Sequence, residues 1–375
     1  MILCEFGPDD RPVLFRKPVE IVLAHHAQEV LPALQRLENA RRSGRWIAGW
    51  LSYEAGYALE QRLLDQMPPD RDGPLLAMGI YDAPDAADEL ALPDEQVTLA
   101  PLHPLVSETG YRAAFDRVRD YIAAGDCYQI NLTIPLATRL EQGSALGLYA
   151  ALRRHQPVGF GAYADLGGPV VVSRSPELFV RLDAQGRIEA RPMKGTAPRD
   201  PDPARDRALA EALAASEKNR AENLMIVDLL RNDIGRISRI GSVRVPELFA
   251  IDSFATVHQM SSRVTGQLAA PADLPGLMQA LFPCGSITGA PKIRAMQIIR
   301  EVEPHPRGVY CGTLGWMAPD GAAAFSVTIR TLSVWPDGRI TMNVGGGVVQ
   351  DLDPGGEWEE ALWKARFVQD LTRPA

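Results

Sequence analysis

The chain has 375 residues, of which 46% are hydrophobic and 23% charged, values typical of a globular protein that buries a sizeable core. Its 39 lysine and arginine residues stand against 47 aspartate and glutamate residues, a formal net charge of −8, which argues against nucleic-acid binding because phosphate contacts need a surplus of cations. No apolar run approaches the ~20 residues of a membrane span. The N-terminus lacks a signal peptide, and the four scattered cysteines form no CxxC pair. We therefore expect a cytoplasmic protein without nucleic-acid or membrane partners.

The first 95 residues predict short strands around one long helix. Residues 12–23 are predicted to be extended, and a helix to run from about Ala27 to Arg42. WIAGWLSYEAGY predicts a strand and a turn, and a short helix should follow from Ala58 to Gln66. Residues 82–96, DAPDAADELALPDEQ, have the composition of a surface linker. We place a soft boundary there, between an N-terminal segment (1–95) packed on the core and a larger domain (96–375).

After this linker, strands occur in adjacent runs between helices. An apolar stripe from Tyr111 to Ile122 predicts a helix that Gly125 ends. YQINLTIPL alternates strictly, so Gln129, Asn131 and Thr133 share one face of a strand. Further strands are predicted at 169–173, 177–182, 187–192, 256–264, 313–317, 323–334 and 339–344, with a hairpin turn from Asp183 to Gly186, and helices at 204–215, 217–232, 291–302 and 354–371. This order favours an α+β fold over a doubly wound parallel sheet.

Two helices offer carboxylates that the hydrophobic pattern does not explain. Glu222 lies beside the apolar stripe of helix 217–232 and needs a partner there, either a metal or a salt bridge to Lys218 or to a neighbouring arginine. The C-terminal helix begins at Asp353-Pro354, a good start signal, and carries Glu357, Glu360 and Lys364 on one face. A Glu360–Lys364 surface ion pair explains this face, but two helices each offering a carboxylate to one Mg²⁺ explain it as well.

Two glycine-rich segments and one arginine suggest an anion site. GSITGAPK (285–292) leads into a helix whose first N–H groups can hold an anion. NVGGGVVQD (343–351) permits close backbone approach to a ligand. Either segment is equally well explained as a tight turn. Arg330, predicted within the strand FSVTIRT, supplies a cation suited to a carboxylate.

A lysine and a glutamate are predicted at the same end of a hairpin. Lys194 follows the strand RIEARP, and Glu177 begins the preceding strand. A lysine at a strand end is usually solvated. As a nucleophile it would need a pKa lowered by burial or by positive charge, for which Arg191 is a nearby source, and Glu177 would then suit an acid role.

Taken together, these segments resemble the chorismate-utilising family, which includes anthranilate synthase component I, isochorismate synthase and salicylate synthase. The resemblance spans about residues 107–371 and is carried by GDCYQINLT, SPELF, RPMKGT, AENLMIVDLLRND, VHQMSSRV, GSITGAPKIRAMQII, YCGTLGW, FSVTIRT and GGGVVQDLDPGGEWEEALWKA. It implies one large α+β catalytic domain, built from two layered antiparallel β-sheets with peripheral helices. The first 95 residues match less distinctly.

The resemblance also implies residue roles. Glu222 and Glu360 match the Mg²⁺ carboxylates, with Glu357 as a second or alternate ligand. The positions that match the binding sites for the chorismate carboxylates are Ser286, Tyr310, Arg330, Gly346, Gly347 and Lys364. His258 and Thr196 match residues near the ring and its leaving hydroxyl group.

Two positions distinguish the branches of the family. Members that add water carry a lysine where this chain has Gln129, so the hydroxylating enzymes are disfavoured. Lys194 stands where anthranilate and salicylate synthases have alanine, and it resembles the covalent nucleophile of aminodeoxychorismate synthases in p-aminobenzoate and folate biosynthesis. Glu177 would protonate the departing C4 hydroxyl, Lys194 would add at C2, and ammonia would displace it. Met193 replaces the more usual isoleucine, which changes little.

The resemblance implies a partner as well. No cysteine lies in the GxCxG setting of a glutaminase, so we expect ammonia from a separate glutamine amidotransferase subunit, and no fused lyase domain. Anthranilate synthase component I is the nearest alternative. A non-catalytic chorismate-binding subunit is another, but it would require a damaged constellation, whereas Glu177, Lys194, Glu222 and Glu360 are all present.

Overall fold

Two antiparallel β-sheets face each other in the computed structural model, which describes residues 1–254, 257–350 and 352–372, without the side chains of residues 89 and 370. The strands are β1 (Ile2–Cys4), β2 (Val13–Phe15), β3 (Glu20–Ala24), β4 (Trp46–Leu51), β5 (Leu76–Tyr81), β6 (Asp85–Ala86), β7 (Thr98–Leu99), β8 (His103–Pro104), β9 (Gln129–Gln142), β10 (Phe160–Ala164), β11 (Val170–Ser175), β12 (Leu178–Leu182), β13 (Arg187–Arg191), β14 (Met193–Pro198), β15 (Arg244–Ser253), β16 (Val257–Gln267), β17 (Gly289–Ala290), β18 (Thr313–Met317), β19 (Ala323–Val327), β20 (Thr331–Val334) and β21 (Arg339–Val348).

Helices cover the outer faces of the sheets. The α-helices are α1 (Ala27–Arg42), α2 (Ala55–Leu59), α3 (Glu108–Ala123), α4 (Ala145–His155), α5 (Pro203–Ala215), α6 (Glu217–Gly235), α7 (Leu274–Leu281), α8 (Lys292–Val302), α9 (Pro354–Trp363) and α10 (Arg366–Gln369). Short 3-10 helices lie at Pro8–Asp10, Gln61–Gln66, Ala87–Glu89, Gly285–Ile287 and Asp370–Thr372. Within the described part of the chain, no helix is both long and apolar enough to cross a lipid bilayer.

The first sheet has the order β17-β9-β21-β20-β11-β10-β1-β2-β6, with β7 and β8 also paired to β9. The second has the order β14-β16-β13-β12-β19-β18-β4-β5-β3, with β15 on the other edge of β16. Residues 1–95, which the sequence sets apart, supply β1, β2 and β6 to the first sheet and β3, β4 and β5 to the second. The predicted α+β fold with two layered antiparallel sheets is confirmed.

The side chains between the two sheets are apolar at one end of the interface and polar at the other. The apolar end is filled by a cluster that includes Ile2 and Phe15 of the first sheet and Trp50 and Trp316 of the second. Further along, the inner face of the first sheet becomes polar. There Gln129, Asn131 and Thr133 are all buried, although Ile130, Leu132 and Ile134 on the opposite face pack under the helices. Buried polar positions on one face of a strand need partners, so this end of the interface is where a ligand site is expected.

Most predicted elements are observed close to their predicted bounds. Helix α1 has the predicted bounds, and Asp353 caps α9 through a hydrogen bond from the Gly356 N–H group. The strand predicted at 256–264 is β16, although Thr256 lies outside the described residues. The helix predicted at Ala58–Gln66 is instead α2 followed by a 3-10 turn.

Two predicted elements were too long. The run predicted as one strand at 323–334 is split into β19 of the second sheet and β20 of the first, so the chain crosses between sheets there. Arg330 lies in that crossing with a positive φ of 49°, which excludes it from a regular strand. The helix predicted at 354–371 ends at Trp363 and resumes as the short α10. An apolar run by itself does not show where a chain bends.

Candidate active site

Glu177 and Lys194 lie at the same end of the β12–β13 hairpin. The register pairs Leu178 with Arg191, so Glu177, just before β12, is brought next to the start of β14, which carries Lys194. The predicted turn is present, with Gly186 at a positive φ of 76°. The two side chains are close enough for each charge to influence the pKa of the other.

Glu177 is buried in a pocket with a single hydroxyl donor. The Ser286 Oγ–H group donates to Glu177 Oε1 at 2.7 Å, and Glu177 is 4% exposed. Burial raises the pKa of its carboxyl group to about 7, against the smaller lowering effects of Ser286 and Lys194. Glu177 is therefore partly protonated at neutral pH and can act as a proton donor.

The Lys194 amine has an environment that favours its uncharged form. Burial lowers its pKa, and the positive charge of Lys364 acts in the same direction, whereas Glu222 and Glu177 oppose it. The prediction that Arg191 supplies this positive charge was wrong. Arg191 is instead ion-paired to Asp252 at 2.8 Å, and the cation that acts on Lys194 is Lys364.

Glycines and an amide surround the Lys194 amine. Gly347 lies on β21 opposite Asn131 of β9, and a Cβ atom there would lie 2.5 Å from Gln129 Nε2 and 3.2 Å from Lys194 Nζ. No side chain larger than hydrogen fits at this position without displacing one of those groups. Gln129 is fully buried, and neither its amide nitrogen nor its amide oxygen has a partner among the described residues.

The residue after Lys194 also has to be small. Gly195 has a positive φ of 80°, and a Cβ atom there would lie 2.8 Å from Asn219 Cγ. Conformation and space both favour glycine at this position. The turn therefore fixes where β14 presents the Lys194 amine.

Arg330 is a half-buried cation that no carboxylate of the described residues pairs with. Burial lowers the pKa of its guanidinium group. Its left-handed backbone costs of order 1–3 kcal/mol, so other contacts hold it in place. One such contact is the Arg174 N–H group, which donates to the Arg330 carbonyl at 3.0 Å. A desolvated, unpaired guanidinium is suited to binding a carboxylate.

Tyr310 is also buried, and burial raises the pKa of its hydroxyl group. Its phenol therefore stays protonated and can donate a hydrogen bond.

Three carboxylates and two lysines lie close together between α6 and α9, since the charges of Glu360, Glu222, Lys364 and Lys218 all act on Glu357. Burial raises the pKa of Glu357, and the negative charges of Glu360 and Glu222 raise it further. The predicted Glu360–Lys364 ion pair is present at 3.0 Å, and the Lys364 ammonium also donates to the Gly345 carbonyl at 3.0 Å. In the described part of the chain no ion pair links Glu222 to Lys218.

These carboxylates fit a divalent cation. Carboxylate oxygens are the ligands that Mg²⁺ prefers, and Mg²⁺ usually takes one or two of them together with waters or substrate oxygens. Burial is the main cause of the raised pKa of Glu357, and Lys364 and Lys218 oppose it, but the part that comes from Glu360 and Glu222 is a repulsion that a cation would relieve. Over the described residues, no three acidic, histidine or cysteine side chains already form a metal cage, so substrate or water would supply the remaining ligands.

His258 is held by protein groups on both ring nitrogens. Nε2 lies 2.9 Å from Asp206 Oδ1, and Nδ1 lies 2.8 Å from Ser253 Oγ. Thr196 donates to Gln259 Oε1 at 3.0 Å. Thr196 lies on the same strand as Lys194 and His258 lies on the neighbouring β16, but these side chains already have partners. Their contact with a substrate stays a prediction.

Asn131 belongs to this region, and the sequence analysis did not select it. Its Nδ2 group is buried and has no partner among the described residues. The signal was present in the alternation of YQINLTIPL, which placed Asn131 on the same face as Gln129.

The whole chain can now be compared with known proteins. The family model described as chorismate binding enzyme matches residues 6–370. The chain belongs to this family. That match includes the N-terminal strands, which had resembled the family less distinctly.

Named relatives fall in two branches of the chorismate binding enzymes. The chain is 46% identical over 286 residues to an aminodeoxychorismate synthase of Streptomyces pristinaespiralis, covering 76% of this chain and 39% of that protein. It is 44% identical over 263 residues to aminodeoxychorismate synthase component 1 of Klebsiella aerogenes, covering 70% of this chain and 58% of that protein. It is also 43% identical over 272 residues to anthranilate synthase component 1 of Streptomyces coelicolor, covering 72% of this chain and 52% of that protein.

Solved structures agree on the fold. Anthranilate synthase component I from Streptococcus pneumoniae superposes with a TM-score of 0.83 at 24% identity, over 96% of this chain and 92% of that one. At that identity the likeness shows the fold alone. The chain thus shares both the sequence family and the fold of the chorismate binding enzymes, and its alignments to the named curated relatives span 39–58% of their lengths.

Proposed function

We propose that this chain is component I of an aminodeoxychorismate synthase, which converts chorismate and ammonia to 4-amino-4-deoxychorismate in p-aminobenzoate and folate biosynthesis. The observation that carries the proposal is the Glu177–Lys194 pair. Burial raises the pKa of Glu177 to about 7 and lowers that of Lys194. The pair is thereby biased toward an uncharged acid next to an uncharged amine, the state that nucleophilic addition with leaving-group protonation requires.

In the first step the Lys194 nitrogen forms a bond to C2 of the chorismate ring. The two ring double bonds each shift by one bond toward C4, the C4–O bond breaks, and Glu177 donates its proton so that the hydroxyl leaves as water. The Glu177 carboxylate then takes a proton from the new secondary ammonium. The result is a neutral acid beside a covalent amine adduct.

In the second step ammonia attacks C4. The double bonds shift back, the C2–N bond breaks, and Lys194 leaves with the proton from Glu177. The Glu177 carboxylate then takes the extra proton from the new amino group, which restores both residues. The net change exchanges hydroxyl for amino at C4 and releases one water. The enolpyruvyl group stays attached.

Other residues of the chain would hold the substrate. Arg330 has no protein anion within the described residues, so it is suited to a carboxylate of chorismate. We expect Ser286, Tyr310, Lys364 and the backbone of Gly346 and Gly347 to contribute further contacts to the carboxylates of chorismate. Glu222 and Glu360, with Glu357 beside them, would hold Mg²⁺, which when bound would act as a Lewis acid for the ring carboxylate.

The ammonia would come from a partner. The relative in Klebsiella aerogenes is named component 1, which implies a second component. No cysteine of this chain has the setting of a glutaminase nucleophile: burial raises the pKa of the Cys284 thiol to about 12 and that of Cys127 to about 11. Such thiols stay protonated and unreactive. We propose a glutamine amidotransferase as that second component.

The test is a product and adduct analysis with chorismate. With Mg²⁺ and ammonium, mass spectrometry should find 4-amino-4-deoxychorismate. Without ammonia, a chorismate-derived mass should appear on the peptide that contains Lys194. Lys194→Ala should lose the adduct and most of the rate, and Lys194→Arg should do no better because a guanidinium stays protonated. Wild-type turnover in Lys194→Ala would reduce the lysine to a binding residue.

Anthranilate synthase component I is the second candidate, because a relative with that name is 43% identical to this chain. It would release pyruvate and give anthranilate, whose fluorescence separates it from 4-amino-4-deoxychorismate in the same incubation. A fluorescent product without any adduct would favour this alternative.

A further inference from the structure

Two buried side chains fill a gap along one edge of β9. On that edge, β9 pairs with β17 at residues 129–130 and with β8 at residues 136–137. Between these two pairings, the Asn131 carbonyl accepts a hydrogen bond from Arg307 Nη2 at 2.5 Å, and the Thr133 N–H group donates to Glu303 Oε1 at 3.0 Å. The Arg307–Glu303 ion pair therefore takes the place of a strand along this part of β9.

The Arg307 side chain is fixed from several sides. It is 3% exposed, and its Nε and Nη2 atoms donate to the two carboxylate oxygens of Glu303 at 2.8 and 2.7 Å. Its guanidinium carbon lies 4.5 Å from the centre of the Tyr53 ring, and its backbone N–H group donates to Glu54 at 2.7 Å. A planar guanidinium group held in this way has little freedom to move.

The same guanidinium group binds the turn that carries Ser286. Its Nη1 atom donates to the Ile287 carbonyl at 2.9 Å, whereas Nη2 donates to the Asn131 carbonyl. Ile287 is the last residue of that turn, which is a 3-10 helix. The Asn131 N–H group adds a hydrogen bond to the Thr288 carbonyl at 3.0 Å. Two arms of one guanidinium group thus set the position of the turn relative to β9.

The Ser286 hydroxyl links this turn to the proposed acid. The Glu177 backbone is held without the turn, since its carbonyl accepts the Val327 N–H group at 3.1 Å and its own N–H group donates to Ser175 Oγ at 3.2 Å. Within the described protein, the hydrogen bond to the Glu177 carboxyl group is the one from Ser286. Because Ser286 Oγ also lies 3.2 Å from Cys284 Sγ, a small shift of the turn offers the hydroxyl another partner.

We propose that Arg307 is a positioning residue for the reaction, whose guanidinium group holds the turn so that the Ser286 hydroxyl stays on the Glu177 carboxyl group. The inference rests on the proposed function, in which Glu177 is the acid. Arg307 acts through Ser286, since its own donors are bound to Glu303, Ile287 and Asn131. A carboxyl group without this hydrogen bond can rotate, and only some of its orientations present the proton to the leaving hydroxyl.

Loss of the Ser286 hydrogen bond should change the acid in a known direction. Burial raises the pKa of Glu177 to about 7, and the Ser286 hydrogen bond opposes this rise because it stabilises the carboxylate. Without the bond, the alkaline limb of the pH–rate profile for adduct formation should move to higher pH. The other titratable groups near Glu177 are Lys194, Cys284 and Cys311, and they stay unchanged in the variants below.

Arg307→Lys tests the role of the guanidinium group while it keeps the charge opposite Glu303. An ammonium group donates from a single atom and lacks the planar fork that reaches both carbonyl groups. The ammonia-free Lys194 adduct, followed by rapid-quench mass spectrometry at saturating chorismate, should form at a maximal rate at least about tenfold lower. Its alkaline limb should lie about one pH unit higher.

Ser286→Ala shows whether Arg307 acts through this hydroxyl. The alkaline limb should move in the same direction as in Arg307→Lys, because both changes remove the same hydrogen bond. In the double variant the limb should be no higher than in Ser286→Ala alone. Shifts that add up in the double variant would show that Arg307 acts by another path, and they would overturn the proposal.

Arg41→Lys is the matched control, because Arg41 has a similar environment away from the site. Arg41 is 5% exposed, donates to both carboxylate oxygens of Glu38 at 2.9 and 2.7 Å, and binds the carbonyl groups of Ala272 and Pro319. The two lysine variants should lose similar amounts of unfolding temperature. Arg41→Lys should nevertheless leave the alkaline limb in place and the rate within about threefold of wild type.

Glu303→Gln covers the case in which Arg307→Lys does not fold. Its amide keeps the shape of the side chain but loses one acceptor for the guanidinium group, so the limb should move upward by a smaller amount. A limb at the wild-type pH in whichever of these two variants folds overturns the positioning role. Absence of the adduct from the wild-type protein overturns the proposed function itself, and the role of Arg307 falls with it.

Discussion

Glu177 needs a raised pKa to act as an acid and Lys194 needs a lowered pKa to act as a nucleophile, and burial supplies both. Burial disfavours the charged form of each group, so it raises the pKa of the acid and lowers that of the amine. Each charge would stabilise the other as an ion pair, but the desolvation that burial imposes on both groups outweighs this attraction. A change that admits water should therefore restore the ion pair and stop the chemistry.

Glu177→Gln tests the acid directly. An amide cannot donate the proton that the leaving hydroxyl needs, and a positioned acid contributes about 10²- to 10⁴-fold. In the wild-type protein, adduct formation should fall as the pH rises above about 7, where Glu177 loses its proton. It should also fall at low pH, where Lys194 gains one. Rates from rapid-quench mass spectrometry should lose the alkaline limb in Glu177→Gln, and an unchanged profile would assign that limb to another group.

Gly347→Ala tests the space around the Lys194 amine. The added Cβ atom would lie 3.2 Å from Lys194 Nζ and 2.5 Å from Gln129 Nε2, so at least one side chain must move. A displacement near 1 Å in a reacting group can cost about 10²-fold in rate. We expect a loss of that order with little change in unfolding temperature. Gly159→Ala, where the structure leaves open space, is the matched control, and equal losses in both variants would contradict this reading.

At the scale of elements, α9 provides two different functions on one face. Lys364 bonds back to Gly345 of β21 and so fastens the helix to the sheet, whereas Glu357 and Glu360 face α6. Truncation of an exposed helix side chain usually changes stability by less than about 0.5 kcal/mol. Substitution of a glutamate on this face should therefore change activity while the free energy of unfolding stays nearly the same.

Glu360→Ala should abolish Mg²⁺-dependent turnover while the protein stays folded. The reason is that α9 would lose its proposed metal carboxylate and Lys364 would lose its ion pair. Glu359→Ala, an exposed neighbour one residue earlier, is the control and should keep wild-type activity. The measurement is product formation across a Mg²⁺ titration, with chelator as the zero point. Full wild-type activity in excess chelator would rule out the metal role.

Much of this architecture was predictable from element-level patterns. The alternation in β9, the turn at Gly186 and the cap at Asp353 are local signals, and the strand, the turn and the start of α9 are observed where these signals predict them. The break at Arg330 was not predictable, because the residues from β19 to β20 are apolar enough for one strand and only the tertiary fold assigns them to two sheets. The cation near Lys194 was misassigned for the same reason: sequence proximity favoured Arg191, whereas the fold brings Lys364 from α9.

For the whole molecule, Glu54 links distant parts of the chain. It follows β4 and accepts N–H groups of Arg307 at 2.7 Å and Gly308 at 3.0 Å. Burial raises its pKa from the ordinary 4.5 to about 7 in spite of those donors. Because the folded value is the higher one, this group's contribution to stability is complete below about pH 4.5 and is lost as the pH rises through about 7.

Glu54→Gln should flatten part of that pH dependence. The pKa of Glu177 is also raised to about 7, so both groups make the free energy of unfolding depend on pH. Glu54→Gln should remove about half of their combined slope, a loss on the order of 1 kcal/mol per pH unit. Urea unfolding at pH 5, 6, 7 and 8 measures it, with Glu359→Ala as an exposed control. A slope identical to that of the wild-type protein would show that Glu54 stays ionised when folded.

The pairing of β4 with β18 has a consequence for synthesis on the ribosome. Residues 46–51 pair on one side with β5, but their other neighbour is residues 313–317. At roughly 5–20 residues per second, that neighbour emerges about 13–50 s later. During this interval the edge of β4, with Ile47, Trp50 and Leu51 on it, has no strand to pair with, and an open apolar edge can pair with other chains. The nascent chain is thus exposed to aggregation for most of its own translation, and a chaperone that binds extended apolar segments would find its target in β4.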